Sequence, residues 1–314
     1  MFAQLRHVYR IVLAISCTAF ALCGIAAETP ARCKSTVVGD LRIQSFQSKT
    51  FGDQQRLRIW LPPGYSEPTN HARRYPVLYM FDGNNLFNDC TSFFHHEWKI
   101  DETLTKLIGN GTVEPLIVVG IDAPDHRRGD EYLPYPDMVL SDTANPHGKD
   151  MPKFLVGEVL PLIAKQFRVR SGPANTAIGG SSYGSIAALY ALITRPDVFG
   201  LGLLESTSLH IGNGELLRQT TSLARGPLRV YVGVGTNELA DSEKFLKDRG
   251  LDTEPTNAGF AQMSETLAAN LKKAQFNRPE VLFVSQPGAR HEEPAWAARF
   301  PGAIQFLFPA QPSH

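Results

Sequence analysis

The chain has 314 residues, 43% of them hydrophobic, and carries 31 Lys and Arg against 31 Asp and Glu. This is the composition of an ordinary globular protein, at a length one large domain can fill. A formal charge of zero, with no basic stripe or acidic block, argues against nucleic acid or an anionic membrane as a partner.

Arg6, His7 and Arg10 precede an apolar stretch from Ile11 to Ile25 that ends in Ala26-Ala27. The stretch is short for a membrane span and closes with the small residues a signal peptidase needs. Residues 1–27 therefore read as a secretory signal, leaving a domain over 28–314 with no stable membrane insertion. A retained anchor is the competing reading. Neither Cys17 nor Cys23 follows a convincing lipoprotein-type run. Export to the periplasm or medium would leave Cys33 and Cys90 as the mature cysteines, and a disulfide between them is expected.

Segments 41–46 and 56–61 alternate apolar and polar residues, the pattern of half-exposed antiparallel strands. The later runs 77–81, 116–121, 175–179, 200–204, 228–234 and 281–285 are short and mostly apolar, as strands buried on both faces of a parallel sheet are. Helical patterns over 97–109, 149–167, 183–194, 258–275 and 294–307 alternate with them. The whole predicts one doubly wound, mostly parallel sheet flanked by helices. The Pro-, Asp-, Arg- and His-rich stretch from 122 to 149 is expected to cross the C-terminal edge of that sheet as a surface excursion. Segments 206–227 and 235–257 read as further insertions at strand ends.

Gly180-Ser181-Ser182-Tyr183-Gly184 follows the strand at 175–179 and leads into the helical run from Ile186 to Leu192. Strand, sharp turn and helix are the context of a nucleophile elbow, which predicts Ser182 as nucleophile. A serine hydroxyl needs a base to take its proton. His291 lies after the last strand and before the last helix, and is the candidate; His210, after the strand that follows the elbow, is its rival. Glu238, in Gly235-Thr236-Asn237-Glu238 at the end of the strand run 230–235, is placed to orient that base, with Asp241 as the alternative. The chain order Ser182, Glu238, His291 is that of the α/β-hydrolase fold. Oxyanion donors are expected from the backbone N–H groups of Tyr183 and of Asn84, in the turn Asp82-Gly83-Asn84-Asn85.

Two other motifs lead elsewhere and are set aside. His95-His96-Glu97 lacks the second histidine of a zinc helix, because Ile100 stands at that position. The glycines at 179–184 are not followed by Gly-Lys-Ser/Thr, so a phosphate loop is not predicted. No metal or cofactor is expected.

Taken together, 75–87 (YPVLYMFDGNNLF), Trp98, Arg128 with Glu131-Tyr132, 178–185 (IGGSSYGS), Gly235-Thr236-Asn237-Glu238 and His291 with Trp296 resemble the putative-esterase branch of the α/β-hydrolases. That branch includes esterase D-type, feruloyl and enterochelin esterases and the mycolyltransferases. The resemblance implies a serine esterase acting on a small-molecule ester, with Ser182, Glu238 and His291 in the places of nucleophile, acid and base. Tyr183 stands where many relatives have Met. Transfer of the acyl group to a sugar or lipid alcohol is the alternative chemistry, and an exported, catalytically silent binding protein is the alternative of another class.

Overall fold

The computed structural model describes residues 33–310 except 125, 138–142, 249, 251 and 276–278, so the predicted signal segment 1–27 lies outside the described residues. β1 (Asp40–Gln47) and β2 (Gln54–Leu61) form an antiparallel hairpin. β3 (Val77–Phe81), β4 (Ile117–Ile121), β5 (Thr176–Ser181), β6 (Leu201–Glu205), β7 (Arg229–Gly235) and β8 (Glu280–Gln286) continue the sheet in parallel. The strands run in the order β1-β2-β4-β3-β5-β6-β7-β8, with β2 antiparallel to β4.

Side chains alternate across each buried strand and so feed two cores. Val77, Tyr79 and Phe81 of β3 point into one of them, with Phe154, Ile186, Leu189 and Leu267. Leu78 and Met80 enter the other, with Ile100, Leu104, Trp296 and Phe300. Helices therefore cover both faces of the sheet, as the run of βα units requires. In chain order they are α1 (Ile100–Gly109), α2 (Arg128–Tyr132), α3 (Met151–Phe154), α4 (Leu160–Gln166), α5 (Ser182–Thr194), α6 (Glu215–Gln219), α7 (Glu243–Lys247), α8 (Thr253–Leu271) and α9 (Glu293–Leu307). The described residues from Ser35 onward belong to one compact unit. None of their helices is long and apolar enough to cross a membrane. Cys33 and Cys90 are disulfide-bonded, as expected from the cysteine count.

Each predicted strand is present to within two residues, and the departures have local causes. The helix expected over 97–109 starts three residues late, because Trp98 is buried in the core and Lys99 takes a left-handed φ of 55°. The helix expected over 149–167 contains a π turn at Leu155–Val159. Glu158 in that turn accepts hydrogen bonds from the Thr50 N–H and hydroxyl and from the Lys49 N–H, pinning the β1–β2 turn. β2 is half-exposed only in its first residues; Arg58 turns inward to a bidentate contact with Asp122 at 2.6 and 2.9 Å. The excursion after β4 is less superficial than its composition suggests, for Glu131, Tyr132 and Leu133 are buried.

The chain leaves β3 toward β4 on one side and leaves β5 toward β6 on the other. β3 and β5 are neighbours, so their C-terminal ends flank the switch point where open α/β sheets bind ligands. Asp82–Asn85 follow the first strand and Ser182 follows the second.

Candidate active site

Ser182 is the first residue of α5 and holds φ at 55°, a conformation uncommon for a side-chain-bearing residue. Two glycines permit the turn. A Cβ on Gly180 would lie 2.8 Å from the backbone of Gly184, and one on Gly184 would lie 2.7 Å from Oδ2 of Asp82 and 3.0 Å from Cβ of Phe81. Strand, turn and helix thus approach too closely for any other residue at these positions. The Ser182 hydroxyl lies 3.4 Å from that of Ser208. Tyr183 follows in the first turn of α5, where N–H groups point out of the helix start.

Glu238 is buried, and its Oε2 sits 2.7 Å from Nδ1 of the half-buried His291. Its Oε1 accepts hydrogen bonds from the Ser206 hydroxyl at 2.7 Å and from the Gly235 N–H. Burial opposes the charge of this carboxylate, but His291, Ser206 and Gly235 together hold its pKa below the ordinary value. The His291 ring is fixed edge-on against Trp296 at 5.2 Å and Phe260 at 5.8 Å. Asp241, the alternative acid, is exposed and pairs with Arg290 at 3.0 Å. His210, the alternative base, packs on Phe260 at 5.4 Å; burial and the neighbouring His291 push it down to about 4.

Beneath this pair lies a second layer. Glu205 ends β6 and meets Arg299 of α9 at 2.7 and 2.9 Å, both side chains almost wholly buried. Burial pushes Glu205 up to about 7 even beside the guanidinium. The next residue, Ser206, has φ 46° and accepts from Nε1 of Trp296 at 2.8 Å while donating to Glu238. None of Glu205, Ser206 and Arg299 was anticipated. The available signals were an acid closing an apolar strand and an arginine on the apolar stripe of the last helix.

On the other side of the elbow, Asp82 adopts φ 57° and binds Arg128 of α2 through both oxygens at 2.7 Å. The guanidinium lies 5.4 Å from the Tyr132 ring and 5.2 Å from that of Tyr183. The predicted donor Asn84 sits in the 3₁₀ turn Gly83–Asn85. Its side-chain oxygen accepts from the Ala123 N–H at 3.2 Å, and its amide donates to Asn85 at 2.7 Å. Asn85 in turn donates to Glu293 at 3.0 Å, tying the turn to the start of α9. A cavity of about 590 Å³ opens beside Asn84, lined by Arg56, Arg58, Arg127, Asp122 and Phe93. Of the aromatics in the loops, Trp98 and Tyr132 are core residues, whereas Phe93 and Phe94 are exposed.

An eight-stranded, mostly parallel sheet with these turns at its switch point defines an α/β-hydrolase. Residues 48–307 match the family described as "Putative esterase", and the chain belongs to that family: it is a carboxylic-ester hydrolase. It is 23% identical over 258 residues to the uncharacterized protein YbbA of Bacillus subtilis, covering 81% of this chain and 92% of that one. It is 25% identical over 222 residues to an endo-1,4-beta-xylanase/feruloyl esterase of Xylanibacter ruminicola, covering 69% of this chain but only 28% of that protein. Among solved structures, the siderophore hydrolase EstA of Aspergillus nidulans superposes with a TM-score of 0.65 at 21% identity, over 93% of this chain and 98% of that one.

Proposed function

We propose that this esterase works through an acyl-enzyme on Ser182, with His291 as general base and acid and Glu238 as the group that orients it. The observation that carries the reading is the strained Ser182 at the switch point of a sheet whose later strand ends present a 2.7 Å carboxylate–imidazole pair. The reading requires the Ser182 hydroxyl, 3.4 Å from that of Ser208, to turn to the second ring nitrogen of His291 in the substrate complex. Catalytic hydrogen bonds are often long or unformed without substrate.

Ser182 Oγ attacks the ester carbonyl as His291 takes its proton. The oxyanion is held by the N–H groups of Tyr183 and Asn84. The tetrahedral species collapses, the C–O bond breaks, and His291 returns the proton to the departing alcohol. A water then loses a proton to His291 and attacks the acyl carbon, freeing the acid and restoring Ser182. Each proton is accounted for by the imidazole alone.

The relatives named for siderophore and feruloyl esters support a small ester with an aromatic, hydroxylated part as substrate. Arg128, whose guanidinium lies over the Tyr183 ring beside the elbow, is our candidate to meet that part. Residues 1–27 are proposed as an export signal and 28–314 as the esterase domain. Fluorophosphonate treatment followed by intact-mass and peptide analysis tests the central claim. One adduct on Ser182 is expected, lost in Ser182→Ala together with at least roughly 10⁴-fold of kcat at unchanged Tm. A wild-type protein that hydrolyses esters without taking the label at Ser182 refutes it.

A further inference from the structure

Glu97, Asp101 and Glu102 meet where the chain enters α1, outside the hydrogen-bond networks that surround Ser182. One oxygen from each carboxyl lies within 4.8 Å of the others. Glu97 is only 2% exposed and Asp101 is fully buried. Both oxygens of Glu97, Oδ1 of Asp101 and Oε2 of Glu102 are buried with no well-formed hydrogen bond among the described residues; Thr36 lies near Glu97, and Asp101 and Glu102 face each other. The remaining Asp101 oxygen accepts from the Val38 N–H at 2.6 Å.

Four other acids shielded from solvent each hold a basic partner. Asp82 meets Arg128, Asp122 meets Arg58, Glu205 meets Arg299 and Glu238 meets His291. Among the described residues no ion pair reaches Glu97, Asp101 or Glu102, and the neighbouring Lys99 is exposed. An unpaired buried carboxylate is costly, and three together are more so. Asp101 and Glu102 would suit the first turn of a helix without any ligand. Glu97 has no such reason: it precedes the helix, and its buried carboxyl lies within 4.8 Å of the other two.

We propose that these three carboxyls form a calcium site. Oxygens bound to one calcium at 2.3–2.6 Å stand up to about 5 Å apart, whereas the shorter bonds of magnesium limit them to about 4 Å. The carboxyl oxygens here lie within 4.8 Å of one another, inside the reach of calcium, and a buried cluster leaves little room for the several waters that magnesium keeps. All its protein donors are oxygens, with no histidine or cysteine to favour zinc. His95 and His96, which the sequence brings to mind as metal ligands, are exposed instead. The Glu97 N–H donates to Asp89, so the ion would fasten the 89–99 segment to α1 and to Val38. That segment follows the turn carrying Asn84, which ties the site to the stability of the oxyanion turn.

The test uses chelated full-length protein, with titration by calcium chloride followed by calorimetry and by thermal melting. Binding is expected, with Tm rising by roughly 5 °C once calcium exceeds Kd a hundredfold, and magnesium chloride giving a smaller rise. The near-isosteric Glu97→Gln variant should fold and lose the response. Wild-type protein that neither binds calcium nor gains Tm overturns the proposal. An equal response in Glu97→Gln and Asp101→Asn overturns it too. So does a variant more stable than a calcium-insensitive wild type, since that marks carboxyls that share protons.

Discussion

Two buried polar clusters flank Ser182, and they differ in what remains available to a ligand. On the β6–β7 side, Glu205, Arg299, Ser206, Trp296 and Glu238 form a closed network, with Arg299 and Glu205 at 4% and 0% side-chain exposure. On the β3 side, Asp82 and Arg128 make an equally close bidentate pair, but Arg128 is 28% exposed and stacks on two tyrosines. The closed network is buried, and in the proposed mechanism its part is to hold Glu238 and thus His291 in place. The open pair keeps a charged face at the surface beside the elbow tip. On the proposed reading, one cluster would serve orientation and the other recognition.

If the closed side sets the imidazole, disabling its carboxylate has the largest effect. Glu238→Gln keeps shape but offers His291 an ambiguous partner, and kcat should fall by roughly 10³–10⁴ with little change in KM. Asp241→Asn, whose carboxylate serves Arg290 at the surface, is the matched control and should stay within about twofold of wild type. Steady-state hydrolysis of a p-nitrophenyl ester separates the two. Equal losses in both variants would remove Glu238 from the role.

The next largest effect concerns stability. Arg299→Met leaves Glu205 buried without its cation and should cost about 3–5 kcal/mol near pH 8. The sign of its pH dependence follows from Glu205, whose folded pKa of about 7 lies above the unfolded carboxylate value of 4.5. The folded state therefore holds the extra proton between those values, and stability falls as pH rises through that window. Without Arg299 the pKa climbs further, so the deficit of the variant should be smaller at pH 5.5 than at pH 8. Urea melts at both pH values check this, and a deficit independent of pH would mean that packing, rather than charge, dominates at Arg299.

The contrast also explains what could be read from the chain. The closed side belongs to regular βα units, where each strand ends in a short turn, so Ser182, Glu238 and His291 were legible as residues at strand ends. Their supports were not. Ser206 matters through a left-handed φ and one hydroxyl, and Arg299 through a partner 94 residues away. No periodicity encodes either. The open side depends on the excursion after β4, whose polar composition reads as surface although Tyr132 is 1% exposed. Burial there is created by long-range contacts, Tyr132 on Phe81 and Arg128 on Asp82, that local pattern does not register. The left-handed Lys99 that delays α1 is likewise a consequence of seating Trp98 in the core.

The smallest effect is the most diagnostic of the open side. Arg128→Met would confound recognition with an unpaired Asp82, so the informative change is Arg128→Lys, which keeps the charge but loses the planar fork and its stacking on Tyr183. If Arg128 meets an aromatic, hydroxylated part of the substrate, KM for a dihydroxybenzoyl ester should rise about tenfold, the ~1.4 kcal/mol expected of one well-placed guanidinium contact. KM for a simple acetyl ester should not move, because in the proposed mechanism the acyl carbon meets Ser182 and the two oxyanion donors rather than Arg128. kcat should remain within about threefold for both, since the closed network is untouched. Parallel kinetics on the two esters decide the matter: a rise shared by both assigns Arg128 to the architecture of the elbow, whereas a rise confined to the aromatic ester assigns it to recognition.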